Sequence, residues 1–274
     1  MELHREAHRQ LAGLYPEGEI DSFVRILFKR YIIRYHVSDP PDEAKQRFFE
    51  AIGELKKYRP IQYILGETEF YGLHFDVCPD VLIPRPETEE LVDWIVHEYK
   101  PDDTFTIVDI GAGSGCIAVA LKKYFRCAEM WAIDVSEPAL AVARKNAAKN
   151  GVTINFLLKD VLNDGMMGFE HKSIDVIVSN PPYVTPSEKQ NMLPNVLEYE
   201  PHCALFTPEN DPLIFYKAIA AFGKKSLKTG GKLFFEINEA YLDKVSDVLQ
   251  WFGFHDITPR KDINGKWRMI CAKL

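Results

Sequence analysis

The spacing of hydrophobic positions changes along the chain and divides it into three stretches. In residues 1–59, apolar side chains recur every three or four positions, which is typical of amphipathic helices. From about residue 104 onward, short β-branched runs alternate with helical segments, which predicts parallel strands joined by crossover helices. The stretch between them, 60–86, has neither period and is interrupted by prolines. The pattern predicts a small helical domain, a connector and an α/β domain.

Residues 1–59 contain two helical series of apolar positions, separated by a proline-containing break at 39–42. The positions that define the series are Phe23, Ile26, Leu27, Arg30 (through its aliphatic stem), Tyr31 and Arg34, and then Ala44, Phe48, Ala51, Ile52 and Leu55. Charges of both signs nearly balance here, and no cluster of catalytic residue types occurs. We therefore expect a helical domain that docks a partner or serves the structure.

Residues 60–86 are predicted to form the connector. β-forming residues surround Gly72 between positions 70 and 77, which predicts a hairpin. The run at 82–89, Leu-Ile-Pro-Arg-Pro-Glu-Thr-Glu, breaks regular structure at its prolines. Its acidic residues lie where a helix N-terminus favours them, so a helix is predicted to continue from there through Tyr99.

Residues 87–274 are predicted to form a doubly wound seven-stranded sheet with helices on both faces. The predicted strands are 106–110, 130–133, 154–158, 174–178, 232–237 and two final strands near Ile257 and at 267–272. The intervening helices are predicted at 116–124, from Ser136 to Gly151, at 212–227 and at 241–252. Gly230 and Gly231 are predicted to turn the chain into the fifth strand.

Composition narrows the functional classes. The 274 residues are 46% hydrophobic and 27% charged, which is typical of a soluble globular protein. The net charge of −7 gives no broad electrostatic attraction to nucleic acid or to an anionic membrane. No apolar run reaches membrane-spanning length, and the N-terminus lacks a signal-peptide pattern.

Cysteine and histidine usage predicts no metal centre. The five cysteines are odd in number, scattered and without a Cys-x-x-Cys pair, so we expect reduced core residues in a cytoplasmic protein. The eight histidines are also scattered, and we expect none to share a metal-ligand spacing with a cysteine or with another histidine on a helix.

A cluster of hydrogen-bond acceptors is predicted directly after the fourth strand. Asn180 stands at the carboxyl end of that strand, where open α/β sheets bind ligands. Pro181 and Pro182 carry no N–H, so the backbone presents carbonyl oxygens beside the Asn180 side-chain oxygen, and Tyr183 adds a flat aromatic face. Such a site suits a planar group ending in NH2, either an amide or the amine of a base. The alternative is an ordinary proline turn.

A glycine loop after the first strand predicts a nucleoside cofactor. The loop runs from Gly111 to Gly115 and opens a helix, whose N-terminus supplies N–H donors. Asp134, at the end of the second strand, is placed to bind a ribose diol. Both a nicotinamide cofactor and S-adenosylmethionine fit these features. Asp109 favours the latter, because a carboxylate there repels a pyrophosphate and suits a cationic methionine group. Asp160 either adds a polar strand end for the adenine region or is a simple turn residue.

With these motifs in place, the chain resembles the HemK/PrmC family of class I (Rossmann-like) methyltransferases. Further matching runs are 60–66, Pro-Ile-Gln-Tyr-Ile-Leu-Gly, the run at 82–89, Glu200-Pro201 with Ala204-Leu205, and Asp262 with Gly265 and Arg268. The resemblance covers nearly the whole chain and is weakest in the N-terminal helices. It implies methylation, with S-adenosylmethionine, of the side-chain amide nitrogen N5 of the glutamine in the Gly-Gly-Gln loop of peptide chain release factors.

The resemblance also implies roles for individual residues. The cofactor contacts expected from the motifs and from the resemblance together are Asp109, Gly111, Ala112, Gly113, Ser114, Gly115, Asp134, Asp160, Val161 and Asn180. Asn180, Pro181 and Tyr183 are expected to be catalytic, and these with Pro182, Arg85 and Glu87 to bind substrate. For Arg85 and Glu87 the alternative is a structural role in fixing the connector. Val161 replaces a residue that is often aromatic in the family, and Asn238 stands where the family strand usually continues to glycine.

The expected mechanism needs only positioning. Two acceptors, the Asn180 side-chain oxygen and the Pro181 carbonyl, hold both N–H groups of the target amide, and Tyr183 stacks on its plane. The expected partner is a release factor, with no nucleic acid or membrane and with the chain as a monomer. The alternatives are methylation of an adenine in nucleic acid, which the acidic charge disfavours, methylation of a ribosomal-protein glutamine, and a nicotinamide-dependent oxidoreductase, which leaves residues 180–183 unexplained.

Overall fold

A computed structural model describes residues 2–33, 41–163 and 168–274. Arg34 and the first two positions of the predicted break, Asp39 and Pro40, lie outside the described residues. The chain divides into two compact units, one of residues 1–66 with 193–199 and one of residues 67–192 with 200–274. The predicted domain boundaries at residues 59 and 86 stay predictions, and the division between the two units falls between them, after residue 66.

The first unit is helical, as its sequence period predicts. Its first helices are α1 (Glu2–Leu11), α2 (Glu17–Tyr31), α3 (Asp42–Leu55) and the short α4 (Ile61–Leu65). Pro41 and Pro60 stand at the N-caps of α3 and α4, where a missing N–H costs nothing. Leu11, Leu27 and Phe48 are fully buried in the core of this unit.

The second unit begins with a hairpin and a helix. The hairpin pairs β1 (Glu67–Phe70) with β2 (Leu73–Asp76) around Tyr71 and Gly72, which confirms the predicted turn. Asn146 fixes the hairpin to the rest of the unit, since its side chain hydrogen-bonds to both the N–H and the carbonyl of Asp76. Helix α5 (Pro86–Glu98) follows with proline at its first position, as predicted.

A seven-stranded sheet forms the centre of the second unit. In chain order its elements are β3 (Thr106–Ile110), α6 (Cys116–Tyr124), β4 (Glu129–Asp134), α7 (Glu137–Lys149), β5 (Asn155–Leu158) and β6 (Ile174–Ser179). After the short helix α8 (Pro194–Leu197), which belongs to the first unit, come α9 (Ile214–Ser226), β7 (Leu227–Glu236), α10 (Leu242–Phe252), β8 (His255–Lys261) and β9 (Trp267–Lys273).

The strand order is β5-β4-β3-β6-β7-β9-β8. Strands β3 to β7 pair in parallel, and β9 is antiparallel to both of its neighbours. Buried apolar clusters cover both faces of this sheet, which is why strands such as β6 are apolar along nearly their whole length. The predicted doubly wound, seven-stranded α/β fold is confirmed.

Two sequence-based expectations are wrong. Gly230 and Gly231 do not turn the chain into a strand; they lie inside β7, where Gly230 has a φ of 83° and the pairing with β6 shifts register. His4 and His8 do share one face of α1, and their rings stack with centroids 4.6 Å apart. Even so, the described residues hold no group of three or more metal-ligating side chains. No helix in the described ranges is long and apolar enough to cross a membrane.

Candidate active site

The strand order reverses between β3 and β6, and a pocket of about 310 Å³ opens at the carboxyl ends of these strands. Open parallel sheets bind ligands at this position because loops from adjacent strands diverge there. The pocket is lined by residues from both sides of this reversal. Those expected from the sequence are Gly111, Gly113, Asp134, Asp160, Val161, Asn180, Pro181 and Pro182.

The glycine loop has the backbone conformation that only glycine adopts without strain. Gly111, Gly113 and Gly115 have φ values of 76°, 54° and 78°. A Cβ atom at Gly111 or Gly113 would meet no atom within 4 Å, whereas one at Gly115 would lie 3.0 Å from the Ala143 Cβ. The first two glycines therefore leave open space beside the pocket, and the third allows α6 to approach α7.

Asp134 is oriented by backbone donors. Its Oδ2 accepts a hydrogen bond of 2.8 Å from the Gly113 N–H, and its Oδ1 accepts one of 2.9 Å from the Ser136 N–H. Burial raises the pKa of this carboxyl, and the backbone hydrogen bonds act against that rise. Each carboxylate oxygen has a second lone pair. The side chain is thus fixed at the pocket wall with acceptor capacity to spare.

Asp109 lies beneath the loop instead of in the pocket wall. It is fully buried, its Oδ2 accepts a hydrogen bond of 3.2 Å from the Ala118 N–H, and its Oδ1 has no hydrogen-bond partner among the described residues. Burial raises the pKa of Asp109 to about 8. The carboxyl therefore carries a proton over most of the neutral range, and its contact with a cationic cofactor stays a prediction.

The end of β5 contributes a turn and an apolar side chain to the pocket. Asp160 accepts hydrogen bonds from the Leu162 N–H at 2.8 Å and from the Asn163 side chain at 2.6 Å. Val161 lines the pocket and packs against the apolar cluster on one face of the sheet. Asp160 thus shapes the loop that presents Val161, and an adenine contact at either residue stays a prediction.

Asn180 is oriented by side chains that are distant in sequence. Its Nδ2 donates a hydrogen bond of 3.2 Å to the Thr88 hydroxyl of α5, and that hydroxyl donates one of 2.6 Å to Glu236 Oε2 of β7. Thr88 and Glu236 are both buried, at 3% and 2% exposure. Because the Asn180 amide nitrogen is committed to Thr88, the Oδ1 atom remains as the acceptor on the opposite side of the amide.

Glu236 also binds the residue that follows the prolines. The Tyr183 hydroxyl donates a hydrogen bond of 3.2 Å to Glu236 Oε1. Burial raises the pKa of Glu236, and the Thr88 hydrogen bond and the Arg268 guanidinium act against this rise. The ring of Tyr183 packs against the apolar cluster of the sheet and does not line the pocket, so its stacking on a substrate amide stays a prediction.

Arg85 and Glu87 lie outside the pocket wall as well. Arg85 forms an ion pair with Glu200, whose buried carboxylate also accepts a hydrogen bond of 3.3 Å from the Ile83 N–H. This pair ties the loop before α5 to the segment after α8. Of the loop residues, Ala112, Ser114 and Gly115 also lie behind the pocket wall.

Sequence reasoning missed the hydrogen bonds that link Asn180 to Thr88 and Thr88 to Glu236. Thr88 and Glu236 stand in runs that carry the family resemblance, at 82–89 and in the strand before Asn238. Only that resemblance gave a signal, because nothing in either local pattern indicates a contact across 148 residues of chain.

The pocket fits S-adenosylmethionine. Apolar side chains such as Ile133 and Val161 suit an adenine ring, and the Asp134 carboxylate suits ribose hydroxyl groups. The open space beside Gly111 and Gly113 allows a ligand to approach the backbone closely. This chemistry matches the cofactor expected from the sequence.

Comparisons with known proteins agree with the fold. The sequence model of a family described as Methyltransferase small domain matches residues 90–200. A methyltransferase structure from Pyrococcus furiosus superimposes with a TM-score of 0.54 at 18% identity, covering 85% of this chain and 98% of that chain. At that identity the similarity shows the fold alone. The fold, the family match and the sequence relatives described next together define a class I, S-adenosylmethionine-dependent methyltransferase.

Two sequence relatives define the family. A release factor glutamine methyltransferase of Flavobacterium psychrophilum is 44% identical over 270 residues, covering 95% of this chain and 94% of that protein. One of Bacteroides thetaiotaomicron is 50% identical over 230 residues, covering 83% of this chain and 81% of that protein. The chain belongs to the release factor glutamine methyltransferase family.

Proposed function

We propose that this protein methylates the N5 amide nitrogen of the glutamine in the Gly-Gly-Gln loop of a peptide chain release factor. The observation that carries the proposal is the orientation of Asn180, whose side-chain oxygen remains as an acceptor beside the Pro181 carbonyl at the pocket. Both sequence relatives are named release factor glutamine methyltransferases, which supports the choice of substrate.

Positioning of the amide is the main task of the protein. S-adenosylmethionine, when bound, supplies an activated methyl group on a sulfonium. An amide nitrogen is a poor nucleophile because its lone pair is delocalised into the carbonyl, so orientation contributes much of the rate. Asn180 Oδ1 and the Pro181 carbonyl accept the two N–H groups of the target and fix its plane.

The same acceptors stabilise the positive charge that develops on the amide nitrogen during the reaction. Oxygen dipoles directed at an amide nitrogen stabilise positive charge on it as the new bond forms. The methylated amide is then acidic enough to lose its extra proton without a general base. Asp134 and the backbone of the glycine loop would hold the cofactor, and Val161 would contact its adenine.

We also propose that the protein acts in the cytoplasm, as a monomer, on protein and not on nucleic acid. The net charge of −7 supports the last point, since phosphate binding needs basic surface. Adenine methylation and methylation of a ribosomal-protein glutamine are the alternatives, because both targets present a planar NH2 group.

The proposal is tested by transfer of a labelled methyl group from S-adenosylmethionine to purified release factor. Ribosomal protein, RNA and DNA serve as parallel substrates. We expect labelling of release factor, and a release factor in which the Gly-Gly-Gln glutamine is replaced by alanine should take up none. Label found in RNA or DNA, with none in release factor, would overturn the proposal.

We further propose that residues 1–59 dock the protein substrate and contribute little to cofactor binding. The pocket lies wholly within residues 80–219, which supports a separate task for the N-terminal helices. A chain lacking residues 1–59, checked for folding by circular dichroism, should bind cofactor as the full chain does and lose activity on whole release factor. Unimpaired turnover with an unchanged KM would contradict the docking role.

A further inference from the structure

We infer that Thr88 and Glu236 are positioning residues that decide which atom of Asn180 faces the substrate amide. The inference rests on the proposed function and adds residues that touch neither substrate nor cofactor. Glu236 does not line the pocket and Thr88 does not either. Their effect on the reaction therefore passes through Asn180.

The three side chains form a hydrogen-bond relay with one direction. Asn180 Nδ2 donates to Thr88 Oγ1 at 3.2 Å, and Thr88 Oγ1 donates to Glu236 Oε2 at 2.6 Å. An ionised carboxylate only accepts, and a hydroxyl has a single hydrogen. With that hydrogen given to Glu236, the Thr88 oxygen can only accept from Asn180. The relay thus requires the NH2 end of Asn180 to face Thr88.

The reversed amide is disfavoured on both sides. Rotating the Asn180 amide by half a turn places Oδ1 against the Thr88 oxygen, where no hydrogen is available, and leaves a buried acceptor unpaired. It also turns the Asn180 NH2 group toward the NH2 group of the substrate, so that two donors face each other. The relay selects the one orientation in which Asn180 can accept from the target.

The orientation of the Asn180 amide depends on whether Glu236 is ionised, and the groups around Glu236 influence its ionisation. The titratable groups that interact with it are Tyr183, Arg268 and Glu87, together with Tyr216 and Cys116. The Tyr216 hydroxyl donates to the Glu236 backbone carbonyl at 3.2 Å. Burial raises the pKa of Glu236, and the contacts with Thr88, Arg268 and Tyr183 favour its ionised form. A protonated Glu236 can donate to Thr88, which then can donate to Asn180 Oδ1 and permit the reversed amide.

A purely structural role makes a different prediction. The Thr88–Glu236 hydrogen bond joins α5 to β7, so its loss lowers stability in either case. If the bond positions Asn180, its loss also lowers kcat for bound substrate, whereas a purely structural bond does not affect kcat. The test therefore needs kcat, cofactor affinity and stability measured on the same variants.

The test compares matched threonine variants with release factor as substrate. Thr88→Val removes the hydroxyl and Thr88→Ser keeps it. Thr207→Val removes the hydroxyl of a residue that is equally buried, at 3% exposure. That hydroxyl donates to the Val184 carbonyl, and neither residue lines the pocket. We expect kcat to fall about tenfold or more in Thr88→Val, because a misaligned Asn180 loses its hydrogen bond to the target amide and no longer orients the nitrogen. In Thr88→Ser and Thr207→Val, kcat should stay within about threefold of wild type. Calorimetric affinity for S-adenosylhomocysteine should be unchanged in all three.

Two further readouts separate positioning from stability. The kcat of the wild type should fall as the pH drops through the raised pKa of Glu236, and Glu236→Gln should have a lower kcat without that acid limb. The side-chain amide protons of Asn180, assigned by their loss in Asn180→Asp, should exchange with solvent slowly in wild-type protein and faster in Thr88→Val.

The outcomes distinguish the inference from the proposed function. Wild-type protein that labels no release factor would overturn the proposed function, and the relay with it. If wild type is active and Thr88→Val keeps its kcat while its melting temperature falls, the contact is structural and the inference is wrong. An equal loss of kcat in Thr88→Ser and Thr88→Val would also overturn it, because the hydroxyl would not matter.

Discussion

The two sides of the pocket hold their polar groups by opposite means. On the β4 side, Asp134 is oriented by backbone N–H groups of Gly113 and Ser136, which lie 21 and 2 residues away. On the β6 side, Asn180 is oriented by the side chain of Thr88, 92 residues away, which is bound in turn to Glu236. The first arrangement uses backbone donors from the ends of adjacent strands, and the second uses side chains brought together by tertiary packing.

This difference has consequences for both chemistry and mutation. Backbone donors stay in place when side chains change, so the cofactor side should tolerate substitution around Asp134. A side-chain relay fails when any member is removed, so the amide side should be sensitive at several positions. We therefore expect substitutions on one side to change cofactor affinity and those on the other to change kcat.

The largest expected effect is that of Asn180→Ala. It removes one of two acceptors for the target amide, leaves a buried N–H unpaired and misaligns the nitrogen, for which a displacement on the order of 1 Å can cost roughly 100-fold in rate. We expect kcat on release factor to fall about 100-fold or more. Cofactor affinity, measured by calorimetry, should change little because Asp134 and the glycine loop remain.

Asn180→Asp is the matched control for that variant. It keeps an acceptor but loses the NH2 group that donates to Thr88. Partial activity in Asn180→Asp with almost none in Asn180→Ala would support the acceptor role. If Asn180→Ala kept most of the wild-type kcat, residues 180–183 would be only a turn.

The second prediction concerns the other side of the pocket. Asp134→Ala should weaken S-adenosylmethionine binding by about 1–3 kcal/mol, because charge-assisted hydrogen bonds to the ribose are lost. At saturating cofactor, kcat should change much less than it does in Asn180→Ala. Calorimetry with S-adenosylmethionine measures the loss of binding free energy, and the same experiment with NAD checks which cofactor the protein binds. Tight NAD binding without S-adenosylmethionine heat would contradict the assignment.

The same difference explains what the sequence predicts well. The strands other than β7, the glycine loop and the N-cap at Ser136 follow from local periodicity and residue chemistry, and the structure has them within a residue or two. The relay through Glu236 does not follow, because no local pattern specifies which helix packs over which strand. The paired glycines failed as a turn signal because they lie inside β7, at the place where its pairing with β6 shifts register, and not before the strand begins.

The smallest expected effect is that of alanine substitutions within the glycine loop, which separate a structural glycine from one beside the cofactor pocket. Gly115→Ala must adopt a φ of 78° and place a Cβ 3.0 Å from that of Ala143, so α6 and α7 must separate. Left-handed backbone costs about 1–2 kcal/mol for a non-glycine residue, and overpacking adds to that cost.

Gly111→Ala has a similar φ of 76° but meets open space. Chemical denaturation should therefore show a greater loss of unfolding free energy in Gly115→Ala. Cofactor affinity should fall more in Gly111→Ala, whose new methyl group extends into the space beside the pocket. Equal stability losses in the two variants would mean that the approach of the helices does not require glycine at position 115.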